Sequence, residues 1–145
     1  MRKVAVLLTF LMGISYGGNL YECFQRAEII YGIPKELLIA IAKTESSLNP
    51  KALNKNGNGT YDIGIMQINT SNLSLLKRVG LIKRNEELWI PCKNVEAGAY
   101  ILKLCVKRYG LTWRAVDCYN KGKKAKGVGG YVWKVYKHLK KILKE

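Results

Sequence analysis

Residues 39–50 read IAIAKTESSLNP. The run that leads into this stretch has the spacing of an amphipathic helix: at about 100° per residue, Leu37, Leu38, Ile41 and Ala42 share one side. Glu45 falls in the middle of that apolar arc. Asn49-Pro50 then stops the helix, because the residue before a proline is pushed out of helical backbone angles. The stretch therefore sets a helix and, at its end, aims a carboxyl group at the surface the helix must bury.

Working outward, the same periodicity predicts further helices. Tyr21 to Tyr31 reads as one, ended by Gly32, and Pro34 suits the first turn of the next, which runs to about Ser46. Gln67 to Leu76, Asn94 to Tyr109, Trp113 to Cys118 and Tyr131 to Lys144 follow. Residues 51–63 are polar and glycine-rich, which predicts a loop or a short irregular hairpin. The expected class is mainly α, an α+β arrangement with a small β element near residues 59–65.

The chain has 145 residues, enough for one domain with a real core and too few for two. Its first segment, MRKVAVLLTFLMGISYGG, has basic residues Arg2 and Lys3, an apolar run from Val4 to Ile14, and small residues at cleavage spacing. It reads as a signal peptide over residues 1–17, leaving 18–145 as the mature domain. The apolar run is too short to span a bilayer, so no stable membrane span is expected after cleavage. Export predicts a periplasmic or secreted protein.

In such a compartment four cysteines, Cys23, Cys92, Cys105 and Cys118, favour two disulfides, and three pairings are open. A helical hairpin turning at Tyr109-Gly110 would bring Cys105 to Cys118 and leave Cys23 for Cys92. No pair has C-x-x-C spacing and the single histidine, His138, lies in a lysine-rich tail, so neither a zinc site nor thioredoxin-like chemistry is expected. Asn54, Asn56, Asn58 and Gly59 mimic the start of a calcium loop, but Ile65 stands where the bidentate glutamate belongs. No metal is expected.

The formal net charge is +15, and loss of Arg2 and Lys3 leaves +13. This favours anionic partners such as acidic wall polymers or lipid surfaces, while export argues against nucleic acid. The last helix places Val132, Val135, Tyr136, Leu139 and Ile142 or Leu143 on one face and lysines on the other. That pattern predicts a core-packing helix with a solvated basic face, with a membrane-surface helix as the lesser alternative.

Glu45 carries the chemistry. A carboxyl group pressed against Leu37, Leu38 and Ile41 is desolvated, and the C-terminal end of a helix dipole acts in the same direction, so its pKa should rise. A still-protonated acid at neutral pH is what protonation of a departing glycosidic oxygen requires. The alternative is that Glu45 lies one turn beyond the buried part and faces solvent.

With TESSLNP at 44–50, YDIGIMQIN at 61–69 and CYNKG at 118–122, the chain resembles the lytic transglycosylases of lysozyme-like fold (the SLT domain). It looks most like the small exported ones that accompany type III and type IV secretion systems and pili. The resemblance covers about Tyr21 to Tyr136. It implies that Glu45 is the catalytic acid and base, with Ser46 as its hydrogen-bonding partner. Gly64 would let a sugar approach the backbone, Met66 would cover a sugar face, and Gln67 would bond an N-acetyl group. Asn69, Tyr119 and Asn120 would belong to the same substrate-binding set, and Tyr131 would be the family tyrosine near the acid. Asp62, seventeen residues after Glu45, either faces the sugar as a second carboxylate or fixes its loop through backbone amides.

The resemblance further implies cleavage between N-acetylmuramic acid and N-acetylglucosamine in peptidoglycan, forming 1,6-anhydro ends without a cofactor. Glycan strands, and secretion-system or pilus components, would be the partners. Two other readings share the scaffold: a hydrolytic muramidase, and a non-catalytic wall-binding or assembly module that keeps the cleft for docking.

Overall fold

A computed structural model describes residues 19–145; the expected signal peptide lies outside the described residues. Helix α1, Leu20–Tyr31, begins where the Asn19 side chain accepts from the Glu22 amide and ends at Gly32, whose φ of 69° lets its own amide reach the Glu28 carbonyl. Helix α2, Lys35–Ser46, follows, with Pro34 at its N-cap, one position ahead of the helix proper. It stops at Ser47 and Leu48, both left-handed without being glycine (φ 54° and 62°). Two such residues in a row are held by the Ser47 amide on Ala42 and Lys43 carbonyls and by Asn49 N–H donating to Ser46 Oγ.

The polar segment after α2 folds into a three-stranded antiparallel sheet, β1 Leu53–Lys55, β2 Tyr61–Ile63 and β3 Ile68–Asn69, in that spatial order. Asp62 pairs with Asn54 on one side and Asn69 on the other. The expected helix over Gln67–Leu76 is corrected: Gln67 closes a turn with φ 53°, Ile68 and Asn69 form β3, a 3-10 turn covers Thr70–Asn72, and the helix, α3, is only Leu73–Arg78. The apolar spacing resembled a helix, but the Gln67 side chain donates to the Ala52 and Gly64 carbonyls and so ties this segment to the loop instead. A further 3-10 turn, Asn85–Trp89, leads into α4, Pro91–Tyr109.

Helix α4 is the axis of the core. Val95, Ala97, Ala99 and Leu102 are fully buried along it, packed with Phe24 and Ala27 of α1 and Leu38, Ile41 and Ala42 of α2. Each large apolar side chain so buried contributes about 1.5–3 kcal/mol. Helix α5, Trp113–Lys121, begins at Thr112, whose hydroxyl accepts from Ala115 N–H, and α6, Gly130–Lys144, returns across α2. Disulfides join Cys23 to Cys92 and Cys105 to Cys118, with Cα separations of 4.9 and 5.8 Å. They staple α1 to α4 and α4 to α5, the pairing that the helical hairpin made accessible. The fold is mainly α with a small open sheet beside the helical core. Among the described residues no helix is long and apolar enough to cross a membrane.

Candidate functional site

The sheet and the α4–α5 hairpin stand apart and leave a cleft of about 640 Å³ between them. One wall is polar: Asn56, Asn58 and Thr60 of the hairpin, Asp62 of β2, and Asn69 with the 3-10 turn after it. The other wall is formed by Ile101, Leu104 and Arg108 of α4 and by Tyr119 and Asn120 of α5. Glu45, at the end of α2, lies between them. The helix thus does what its sequence pattern foretells, carrying an acid on its apolar side, and the space that should be core is the cleft.

Burial pushes the Glu45 carboxyl up to about 7, and the negative charge of Asp62 pushes the same way. The Tyr131 hydroxyl donates to Glu45 Oε2 at 2.9 Å and opposes the rise by favouring the ionised form. Tyr131, on the first turn of α6, is itself held as a neutral phenol, its pKa driven far up by burial and by the acid beside it. Glu45 is therefore able to hold its proton near neutral pH, where an ordinary carboxyl is ionised. In one state it donates a hydrogen bond to an oxygen in the cleft, and in the other it accepts one.

Asp62 is fixed from the side. Asn69 Nδ2 donates to its Oδ1 at 2.9 Å and to Thr60 Oγ1 at 3.0 Å, while Asn69 Oδ1 accepts from Ser71 N–H. Asp62 is thus held by a cross-strand amide, and among the described residues its Oδ2 has no hydrogen-bonding partner. The asparagines that imitate a calcium loop order this wall: Asn58 Oδ1 accepts from the amide and hydroxyl of Thr60, and Asn54 donates to Gln67 Oε1.

Of the residues expected at the site, Glu45, Asp62, Gln67, Asn69, Tyr119 and Asn120 line the cleft, and Tyr131 supports it through Glu45. Three others are placed differently. Ser46 does not bond Glu45; its hydroxyl donates to the Ile65 carbonyl at 2.7 Å and ties α2 to the loop. Met66 covers no sugar face, being fully buried against Gly98, where any Cβ would meet its side chain at 2.8–2.9 Å. Gly64, at φ 79°, leaves room for Asn94 and not for a ligand. Tyr119, partly buried, donates its hydroxyl to the Met66 carbonyl at 2.7 Å, and Gln67 spends its amide on Asn54, Ala52 and Gly64.

Sequence reasoning missed Asn94. It is 1% exposed. Its Oδ1 accepts from Met66 N–H, and its Nδ2 donates to the Ile63 and Leu88 carbonyls, each at 2.8 Å. One side chain thereby holds the Ile63–Met66 turn that carries the cleft's polar wall. Its signal was present: Asn94 stands on the apolar stripe of α4 as Glu45 stands on that of α2. Arg108, also missed, is the cation of the lining.

Comparison with known proteins places this architecture. The profile of the transglycosylase SLT domain matches residues 22–132. Invasion protein IagB of Salmonella typhi is 38% identical over 130 residues, covering 86% of this chain and 81% of that protein. Protein IpgF of Shigella flexneri is 37% identical over 149 residues, covering 99% and 93%. Among solved structures, an inactive mutant of the lytic transglycosylase Slt from Pseudomonas aeruginosa superposes with a TM-score of 0.67 at 20% identity. The chain spans 81% of its own length in that match but only 23% of the larger protein, and the likeness carries the fold alone.

These findings correct the expectation of a lytic transglycosylase. IagB and IpgF, which match along most of both chains, bear names that assign no cleavage of a glycosidic bond, and the lytic transglycosylase Slt matches at 20% identity, a likeness of fold. A shared domain does not carry its chemistry with it. Three residues of the shared motifs, Ser46, Gly64 and Met66, are moreover occupied in holding the loop. The anhydro-forming reaction, and the terms lyase and glycosidase, are accordingly set aside. By its profile match, its relatives and its fold, the chain belongs to the transglycosylase SLT domain family.

Proposed function

We propose that this protein is an exported, non-catalytic wall-binding module whose cleft docks a peptidoglycan glycan strand, serving in the periplasm or outside the cell where a secretion apparatus or pilus is assembled. Membership of the SLT family and likeness to an invasion protein support the setting. The site supports the ligand. Amide and hydroxyl groups line one wall, apolar faces of Ile101 and Leu104 the other, which suits a polymer of hydroxyl and acetamido groups on apolar rings.

The observation that carries the reading is Glu45, buried inside this cleft with its carboxyl pushed up to about 7. As an acid it donates to a sugar oxygen, while Asp62 Oδ2 accepts from a sugar hydroxyl and Asn120 does either. The carboxylates act here as contacts. The positive net charge adds a salt-sensitive attraction to the anionic peptide stems.

Sedimentation with purified sacculi tests this, with the soluble fraction analysed by mass spectrometry. The chain is expected to pellet with sacculi and release no fragments. Asp62→Ala and Asn120→Ala should each weaken retention by about tenfold, the equivalent of roughly 1.4 kcal/mol. Failure to pellet would remove the glycan reading. Soluble muropeptides released by the native chain and not by Glu45→Gln would overturn the non-catalytic part.

A further inference from the structure

The last helix holds a surface that the cleft does not use. Its apolar face was expected to include Tyr136, yet Tyr136 turns outward while Val132 and Val135 are buried against α2. Tyr136 meets two tryptophans there. Trp133 stacks on it, with ring centroids 5.4 Å apart and planes 23° apart, and Trp113 of α5 meets it edge-on at 5.9 Å. Trp133 is 57% exposed and Leu143, further along the same side, 67%. Such large apolar groups exposed in one row are unusual on a surface that interacts only with water.

The charges around the row have one sign. Lys137, Lys140 and Lys144 share its side of the helix, Lys134 and Lys141 flank it, and α6 contains no acidic residue. The Lys137 ammonium lies 5.9 Å from the centre of the Trp133 ring. Arg114 neighbours Trp113 in sequence on α5 and lies over the Tyr109 ring.

We infer that this aromatic and basic face of α6, with Trp113, docks on the surface of an anionic phospholipid bilayer. Tryptophan and tyrosine suit the boundary between headgroup and acyl chain, having an apolar body and a polar tip. Lysines beside them lay their methylenes along the boundary and keep their ammonium groups among lipid phosphates. Among the described residues neither the Trp113 nor the Trp133 indole N–H donates to a protein acceptor, so both are free for headgroup oxygens. A sugar-stacking platform fits less well: Tyr136 covers one face of Trp133, and Lys137 approaches the ring as well. The inference is independent of what the cleft binds.

Co-sedimentation with vesicles tests it, using phosphatidylethanolamine with phosphatidylglycerol against phosphatidylcholine alone. The full chain and the form beginning at residue 18 are compared, which separates any binding by the apolar first segment. Two double variants alter the face, Trp133→Ala with Tyr136→Ala and Lys137→Glu with Lys140→Glu. A third, Lys77→Glu with Arg78→Glu, makes the same charge change at exposed positions of α3. Both forms should pellet with the anionic vesicles and remain in solution with the neutral ones. Each face variant should lose about tenfold in partitioning while the α3 variant loses less than about twofold. Equal loss in the α3 variant would reduce the effect to net charge and overturn the docking face. So would absence of binding by the form beginning at residue 18, or equal binding to neutral vesicles. Face variants that keep vesicle binding but no longer pellet with sacculi would make the surface a wall contact, and the inference would fail.

Discussion

The Tyr131 hydroxyl donates to Glu45 Oε2 across 2.9 Å, joining residues 86 apart in sequence and tying the first turn of α6 to the last turn of α2. Because the bond favours the ionised acid, its removal has a definite sign. In Tyr131→Phe the Glu45 carboxyl should titrate above its present value of about 7. Carbon NMR of the labelled glutamate side chain reads this directly. An unchanged or lowered midpoint would show that the phenol does not stabilise the charged form.

Burial of Glu45 also makes stability depend on pH. The unfolded chain releases this proton near the ordinary value of 4.5 and the folded chain at about 7. Between those values the folded state binds more protons, so stability falls as pH rises through the window and levels off above it. The whole loss is about 3 kcal/mol. Glu45→Gln cannot ionise, so its stability relative to the native chain should rise between about pH 4 and about pH 8 by up to that amount. Urea unfolding at a series of pH values measures the gap; a pH-independent gap would contradict the buried acid.

Asn94 should be among the most sensitive positions outside the hydrophobic core. Asn94→Leu strands Met66 N–H and two carbonyls in the interior and should cost about 3 kcal/mol or more. Gly64→Ala meets both the positive φ and the Asn94 side chain, and should lose at least about 1–3 kcal/mol. Both are read as shifts in urea midpoint. If Asn94→Leu weakened sacculus retention without moving the midpoint, its role would lie in binding and not in holding the loop.

The two disulfides close loops of unequal length, with sequence separations of 69 and 13. On chain entropy, removing Cys23–Cys92 by paired alanines should cost about 4 kcal/mol and removing Cys105–Cys118 about 3. Thermal unfolding of the two variants should keep that order. The reverse order would mean that contacts between α4 and α5 depend on their bridge far more than closure of its loop accounts for.

Much of this architecture is legible in the chain because its helices bury simple stripes. Leu37, Leu38 and Ile41 identify α2 and make Glu45 conspicuous, and Gly32 and Asn49-Pro50 mark ends that the structure keeps within a residue or two. The loop from Ile63 to Asn69 could not be read the same way. Its backbone is set by Asn94, about thirty residues downstream, and by the left-handed turn at Gln67, neither of which leaves a local period. Hence Met66 and Gly64, read from their motif as groups facing a ligand, serve packing. Likewise Tyr136 satisfies the wheel of a buried face, yet it is exposed and packs against two tryptophans.

Cys105 and Cys118 form a bridge, and both also line the cleft. The helical wall is therefore finished by an oxidation and not by folding alone. A newly made chain that has met no oxidant holds that wall by the packing of α4 on α5 alone. The bond thus ties the completion of the cleft's helical wall to the chain's arrival in an oxidising compartment.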